Sequence, residues 1–304
     1  MSGNKTVSLV LGSGGARGLA HIGVIEQLVH SGFEIKNIAG SSMGALIGGI
    51  YAMGKLDVYT RWVTALERSD VIRLLDLSFG RNGLIKGDRI ISVLKSLIGD
   101  ANIEDLPIHF TAVATDLEQE KEVWLSDGPL FDAIRASIAI PTIFTPYQYR
   151  GRQFLDGSLI NPIPIGPTLH DNTDLTIAVN LSGKALSRAK AKKAGAAQAE
   201  PENHRRATRQ QRIAQFVDDL IRRLDWQSAD TLGMLDIVMK SMNIMENTLA
   251  ETQLITYSPD IVIEIPRDVC NFYEFHRARE IIDIGRKKTR AVLANYANQH
   301  ALHE

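Results

Sequence analysis

Ser42 stands in the pentapeptide Gly40-Ser41-Ser42-Met43-Gly44, after the short stretch Ile35 to Ala39 and before a helix-forming run. Gly-x-Ser-x-Gly is the pattern of a nucleophile elbow, in which a strand turns sharply into a helix and carries a serine at the apex. The bend needs backbone angles that side chains resist, and glycines two before and two after the serine remove the collisions. The helix behind the serine would present unpaired N–H groups and a partial positive charge to a developing oxyanion. The chemistry on offer is acyl transfer through a serine ester. A small-residue turn with Ser42 as an ordinary N-cap matches the same five residues.

A serine that cleaves an ester needs a base, an oxyanion site and exclusion of water. The turn Gly12-Ser13-Gly14-Gly15-Ala16-Arg17-Gly18 offers an oxyanion site. Gly14 and Gly15 have no side chains, so their N–H groups can converge on one oxygen, with Arg17 holding the loop or adding positive charge. Phosphate binding is the competing use of such a loop. Against it, Gly18 falls one place late for Gly-x-Gly-x-x-Gly, and no Lys-Ser/Thr pair completes a P-loop. The base candidate is Asp156, in Leu155-Asp156-Gly157-Ser158 ahead of Asn161-Pro162-Ile163-Pro164. A plain Asp-Gly turn is its alternative. His276 lies beyond Asp156 and keeps a Ser–acid–His order open, although it sits where a helix start is expected. His21 reads as a packing or loop-bracing residue. No Cys/His spacing points to a metal, no carboxylate loop points to calcium, and no cofactor is implied.

These groups need a scaffold that ends strands beside one another. Thr6 to Leu11 reads as a buried strand, followed by the glycine turn and a helix to about His30, ended by Ser31-Gly32. A second strand carries the elbow, and its helix, Met43 to Met53, is apolar nearly all round, as buried helices are. More helix is expected over Leu56 to Leu77 and after Asp88. Further strands are expected at His109 to Ala114, Glu122 to Leu125, Gln153 to Leu155, Leu175 to Leu181 and Ile261 to Ile265, with a hairpin near Glu118 to Lys121. A surface helix rich in Arg and Lys is expected over Phe275 to Tyr296. Strands alternating with helices predict an α/β fold: a three-layer α/β/α sandwich round a mostly parallel sheet.

The rest of the chain bounds the setting. The apolar fraction of 44% and charged fraction of 23% are ordinary for a globular protein, and a net charge of -1 gives no reason to expect nucleic acid. One cysteine, Cys270, excludes an internal disulfide framework and fits a reducing compartment. No signal peptide or membrane span is evident. A cytoplasmic location is expected, with any membrane contact made from the surface. Lys184 to Arg212 carries nine Lys or Arg against two Glu and almost no large apolar residue, the composition of a mobile insertion in a single domain spanning 1–304. An apolar helical stripe follows (Ile213, Phe216, Val217, Leu220, Ile221, Leu224), then a methionine-rich helical stretch from Leu232 to Leu249. Residues 213–250 read as a lid or interaction segment. Peripheral membrane contact through 184–224, a homodimer surface and a plain solvated loop all fit this pattern.

Four blocks in order resemble the patatin-like phospholipases, especially bacterial members similar to the catalytic domain of neuropathy target esterase. They are the glycine loop with Arg17-Gly18 and His21-Ile22-Gly23-Val24, the elbow Gly40 to Gly44, the block from Arg135-Ala136-Ser137 to Pro141, and Asp156-Gly157. The resemblance covers most of 7–182 and the region 260–291. It implies a Ser–Asp dyad without histidine: Ser42 as nucleophile, Asp156 as base, and Gly14 and Gly15 in the oxyanion hole. It also implies a phospholipid or lysophospholipid ester as substrate. Ser13 replaces the first of three successive glycines common in that family, and Ser158 follows Asp156-Gly157 where the family has Gly or Ala. Both changes are small and bear on fine geometry. A Ser–His–Asp esterase and a non-catalytic lipid- or partner-binding protein are the remaining alternatives. The elbow's place after only one strand argues against the first.

Overall fold

The computed structural model describes residues 5–74, 85–185 and 234–301. The basic insertion beyond Ala185, the stripe at 213–224 and the end of the 56–77 stretch lie outside the described residues. The chain begins with β1 (Thr6–Leu11), whose β-branched and leucine side chains alternate between two apolar environments. Val7, Leu9 and Leu11 enter the main core, whereas Val10 joins a smaller cluster with Ala178.

After β1 come a one-turn helix (Gly15–Leu19), α1 (Ala20–His30), β2 (Glu34–Ser41) and α2 (Met43–Ala52). Then follow α3 (Leu56–Val63), α4 (Arg68–Arg73), α5 (Asp88–Ile98), β3 (His109–Asp116) and β4 (Lys121–Leu125). The chain continues through α6 (Leu130–Ser137), β5 (Tyr147–Tyr149), β6 (Arg152–Asp156) and β7 (Leu175–Gly183). The last elements are α7 (Met234–Tyr257), β8 (Ile261–Pro266) and α8 (Ala278–Ala301).

All eight described strands form one sheet, in the order β5-β6-β3-β2-β1-β7-β8, with β4 paired to β3. From β3 to β8 the pairs β3/β2, β2/β1, β1/β7 and β7/β8 are parallel. The pairs of β3 with β4 and β6, and of β5 with β6, are antiparallel. The main core gathers Ile22 and Ile25 of α1, Ile47 and Ile50 of α2, and Ile281 and Ile282 of α8. A separate cluster holds Val10 and Ala178 against Ile163, Ile165 and Ala250 of α7. Helices thus pack on both faces of a mainly parallel sheet, a three-layer α/β/α sandwich.

Several elements depart from the sequence expectation. The helix Leu130–Ser137 and the short strand Tyr147–Tyr149 were not anticipated. The methionine-rich helix runs on to Tyr257 rather than stopping near Leu249. Its second half carries Ala250, which packs on the sheet. The last helix is only half a surface helix: Ala278, Ile281, Ile282 and Thr289 are buried along one stripe, against α1 and β8. Each buried Ile of this kind contributes about 2 kcal/mol, which outweighs the polar composition of the opposite face.

Candidate active site

The elbow is built as its glycines require. Ser42 stands between β2 and α2 with φ 54° and ψ -121°, a left-handed region that a serine occupies at a cost of about 1–3 kcal/mol. A Cβ on Gly44 would run into the Leu11 carbonyl, and one on Gly40 would strike the backbone of Gly44. The Ser42 N–H donates to Ser137 Oγ at 2.9 Å, and the Ser137 hydroxyl donates onward to the Val113 carbonyl at 2.6 Å. That fully buried relay helps hold the strained peptide. It ties the elbow to the C-terminal end of α6.

Strand register brings the second group in. On β2, Ser41 pairs with Val113 of β3; on β6, Asp156 pairs with Ala114, the next residue of β3. β2 runs parallel to β3 and β6 runs antiparallel to it, so their C-terminal ends meet. Ser42 Oγ donates to Asp156 Oδ2 at 2.6 Å. The other carboxylate oxygen, Oδ1, accepts the Ser158 N–H at 2.8 Å. The backbone is pinned too, by Asp156 N–H to the Ala139 carbonyl at 3.0 Å and Thr115 Oγ1 to the Asp156 carbonyl at 2.8 Å. Ser42 is 1% exposed and Asp156 is fully buried. Burial pushes the Asp156 carboxyl up to about 6, partly offset by the hydrogen bonds from Ser42 and Ser158. It is therefore mostly ionised at neutral pH, yet more basic than an ordinary aspartate.

His276 is exposed in a single turn (Phe275–Arg277) leading into α8. Among the described residues no histidine hydrogen-bonds to Ser42 or Asp156. His21 is buried and burial pushes its imidazole down to about 4, so it is neutral. Its Nε2 lies 2.8 Å from the Gly12 carbonyl, which can only accept, so Nε2 carries the proton and braces the glycine turn.

The glycine turn lies beside the elbow: a Cβ on Gly18 would meet the side chain of Met43. Gly15 has φ 55°, and an added Cβ would strike the Phe272 ring. The N–H groups of Gly14 and Gly15 have no hydrogen-bond partner among the described residues, whereas those of Gly12, Ser13, Ala16 and Arg17 are all paired. Arg17 Nε donates to the Gly14 carbonyl at 3.1 Å, and Nη1 to the Arg267 carbonyl at 3.2 Å. A trans peptide points its N–H away from its C=O. Fixing the Gly14 carbonyl toward Arg17 therefore aims the Gly15 N–H the other way.

Four contributors escaped the sequence reading. Ser137 sits inside the Arg135 to Pro141 block but was assigned no role. Ser158 was noted only as a small substitution, yet its hydroxyl donates to Glu246 Oε1 at 2.7 Å. Glu246 belongs to α7, which covers the site. Burial pushes Glu246 up to about 7; the Ser158 hydroxyl and Arg17 work against that rise, and nearby Asp156 adds to it. Arg135, also in the block, is buried and donates to the Lys86 and Thr145 carbonyls, joining α6 to the segment before α5.

Fold and site define an α/β protein organised round a serine elbow whose hydroxyl meets a buried carboxylate. Residues 9–169, which contain the elbow, the glycine turn and Asp156, match the family model described as patatin-like phospholipase. The chain belongs to the patatin-like phospholipase family. An uncharacterized NTE family protein of Mycobacterium tuberculosis is 38% identical over 325 residues, covering 94% of this chain and 90% of that protein. Lysophospholipase nte1 of Emericella nidulans is 30% identical over 181 residues, 58% of this chain and 12% of that protein. The crystal structure of VipD from Legionella pneumophila aligns with 96% of this chain and 67% of its own, at 14% identity and a TM-score of 0.49. Among the described residues no helix is long and apolar enough to cross a membrane.

Proposed function

We propose that this chain is a serine acyl hydrolase that cleaves phospholipid or lysophospholipid esters through a Ser42–Asp156 dyad. Family membership supports hydrolysis of a lipid ester, and the lysophospholipase relative supports the substrate class. The observation that carries the mechanism is the 2.6 Å hydrogen bond from Ser42 Oγ to Asp156 Oδ2 in a water-poor site. In the first step the Ser42 oxygen bonds to the ester carbonyl carbon as its proton passes to Asp156. The negative charge moves to the former carbonyl oxygen, where the N–H groups of Gly14 and Gly15 receive it. Each such donor is typically worth ~10²–10³ in rate. Collapse breaks the bond to the alcohol, which leaves with the proton held by Asp156. Water then attacks the acyl-serine, giving its proton to Asp156, and Ser42 leaves and is reprotonated. Ester cleavage suits a single carboxylate base, because an alcohol leaves more readily than an amine.

The decisive experiment is mass-spectrometric mapping of an organophosphonate adduct on the folded protein. The adduct is expected on Ser42 alone and absent from Asp156→Asn under the same exposure. Labelling elsewhere, or equal labelling of both proteins, would reject the dyad.

A further inference from the structure

Glu246 sets a second carboxylate next to the dyad, and the acyl chemistry does not use it. Ser158 joins the two. Its N–H donates to Asp156 Oδ1 at 2.8 Å, and its hydroxyl donates to Glu246 Oε1 at 2.7 Å. Asp156 in turn accepts the Ser42 hydroxyl on Oδ2 at 2.6 Å. Ser42, Asp156, Ser158 and Glu246 therefore form one line, from nucleophile to helix. Glu246 lies outside residues 9–169, the span that matches the family model.

Docking of α7 does not need a carboxylate at this place. Met239 and Met242 pack with Ile140 and Ile143, Ala250 packs with Val10 and Ala178, and Gln253 Oε1 accepts the Ile163 N–H at 3.2 Å. A carboxylate drawn partly out of water is costly, so its presence asks for a reason beyond packing. The charged groups acting on it are Asp156 at the end of β6 and Arg17 of the glycine turn. β7 and the segment 139–146, which also meet α7, carry no titratable side chain. The turn after β8 brings Arg267 and Cys270 to the cavity beside α7. Burial raises the Glu246 carboxyl to about 7, with the Ser158 hydroxyl and Arg17 opposing and Asp156 adding, so its charge changes around neutrality.

The Ser158 hydroxyl has one proton and two carboxylates beside it. Given to Glu246, that proton leaves Asp156 alone; turned to Asp156, it holds that carboxyl down. Resting on the reading of Asp156 as the base of Ser42, we propose that Glu246 is a positioning residue, which draws the Ser158 proton away from Asp156 and so keeps the base strong. When Glu246 takes up a proton it becomes a donor to Ser158 Oγ. The Ser158 hydroxyl then turns to Asp156, and the base weakens. Activity near neutrality is thereby tied to a carboxyl that touches no reacting atom.

The test is the pH profile of kcat/KM on a chromogenic acyl ester, for wild type, Glu246→Gln, Ser158→Ala and the double variant. Glu246→Gln keeps the shape of the side chain and removes its charge. It is expected to lie about fivefold below wild type at about pH 8, the scale of one hydrogen bond gained by Asp156. The gap is expected to close to within about twofold by about pH 6, where wild-type Glu246 is itself protonated. In the Ser158→Ala background the same substitution is expected to change the rate by less than about twofold at either pH, because the shared hydroxyl is gone. A merely structural role lowers the rate equally at every pH. A gap that stays constant with pH, no gap at all, or an equal gap without the Ser158 hydroxyl would each overturn the proposal. Asp156→Asn, assayed alongside, separates this failure from failure of the reading beneath it. Wild-type activity in that variant removes the dyad itself. An inactive Asp156→Asn beside a Glu246→Gln profile parallel to wild type removes the role of Glu246 alone.

Discussion

Two buried aspartates end neighbouring strands and have opposite characters. Asp116 closes β3 and Asp156 closes β6, and on the β3/β6 ladder they stand two positions apart. Neither touches solvent. Asp116 receives N–H bonds from Gln119 at 2.8 Å and Glu118 at 2.9 Å, and it pairs with Arg152. The Gln119 N–H, with the Glu118 N–H and Arg152 beside it, holds its carboxyl below the usual range, against its burial. It is covered thinly, by its own hairpin and a partly exposed arginine. Asp156 lies deep and, among the described residues, receives one N–H and one hydroxyl and has no cation in bonding distance. Burial dominates there and raises it to about 6. Loss of solvent contact alone does not raise a carboxylate's proton affinity. Depth, few donors and the absence of a paired cation do.

The comparison can be broken or sharpened in order of effect. Ser42→Ala should abolish hydrolysis of a chromogenic acyl ester, read as loss of both burst and steady-state product. Asp156→Asn should lower kcat by ~10³-fold or more with the fold intact by circular dichroism. The same change should raise Tm at pH 7, because it removes a deeply buried charge. The rise to about 6 corresponds to roughly 2–3 kcal/mol. An active Asp156→Asn protein, or one destabilised at pH 7, would contradict this account of the carboxylate.

The pH dependences should run in opposite directions. Asp156 binds its proton more tightly folded than unfolded, so its contribution to stability is complete below about 4 and is lost as pH rises through about 6. Asp116 binds its proton less tightly folded, so its contribution is present above about 4 and is lost as pH falls further. Thermal melts across acidic to neutral pH, for wild type, Asp116→Asn and Asp156→Asn, separate the two slopes. Wild-type kcat/KM should fall as pH drops through about 6, where Asp156 of the free protein takes up a proton. Asp116→Asn should lower Tm while leaving kcat within about twofold, since no reacting group touches it. His276→Ala should have the smallest effect, with kcat/KM within about twofold. A collapse of activity in a folded His276 variant would revive the triad reading.

Both residues of the proposed dyad could be picked out in the sequence, for different reasons. The elbow leaves a local trace, because close backbone approach at Gly40 and Gly44 and positive φ at Ser42 constrain consecutive residues. The glycine turn is legible for the same reason at Gly15. Asp156 was weaker: Asp-Gly is a common turn, and its place in a series of ordered blocks carried it. Ser137 and Glu246 left no comparable trace. Ser137 meets the Ser42 N–H across 95 residues, and Glu246 meets Ser158 across 88. A serine on a helix and a glutamate on a helix look like thousands of others until the chain is folded.

From its residues alone, this chain's layered α/β order, its strained serine and its glycine turn could be derived, because each imposes steric demands on neighbours in sequence. Tertiary structure decided the rest. The parallel β2/β3 and antiparallel β6/β3 registers bring two strand ends head to head at Val113 and Ala114. That meeting sets the serine-to-aspartate distance and buries the carboxylate. Packing of α7 across the site adds Glu246 behind it. Desolvation and long-range register depend on which segments meet, and no window of consecutive residues contains that information.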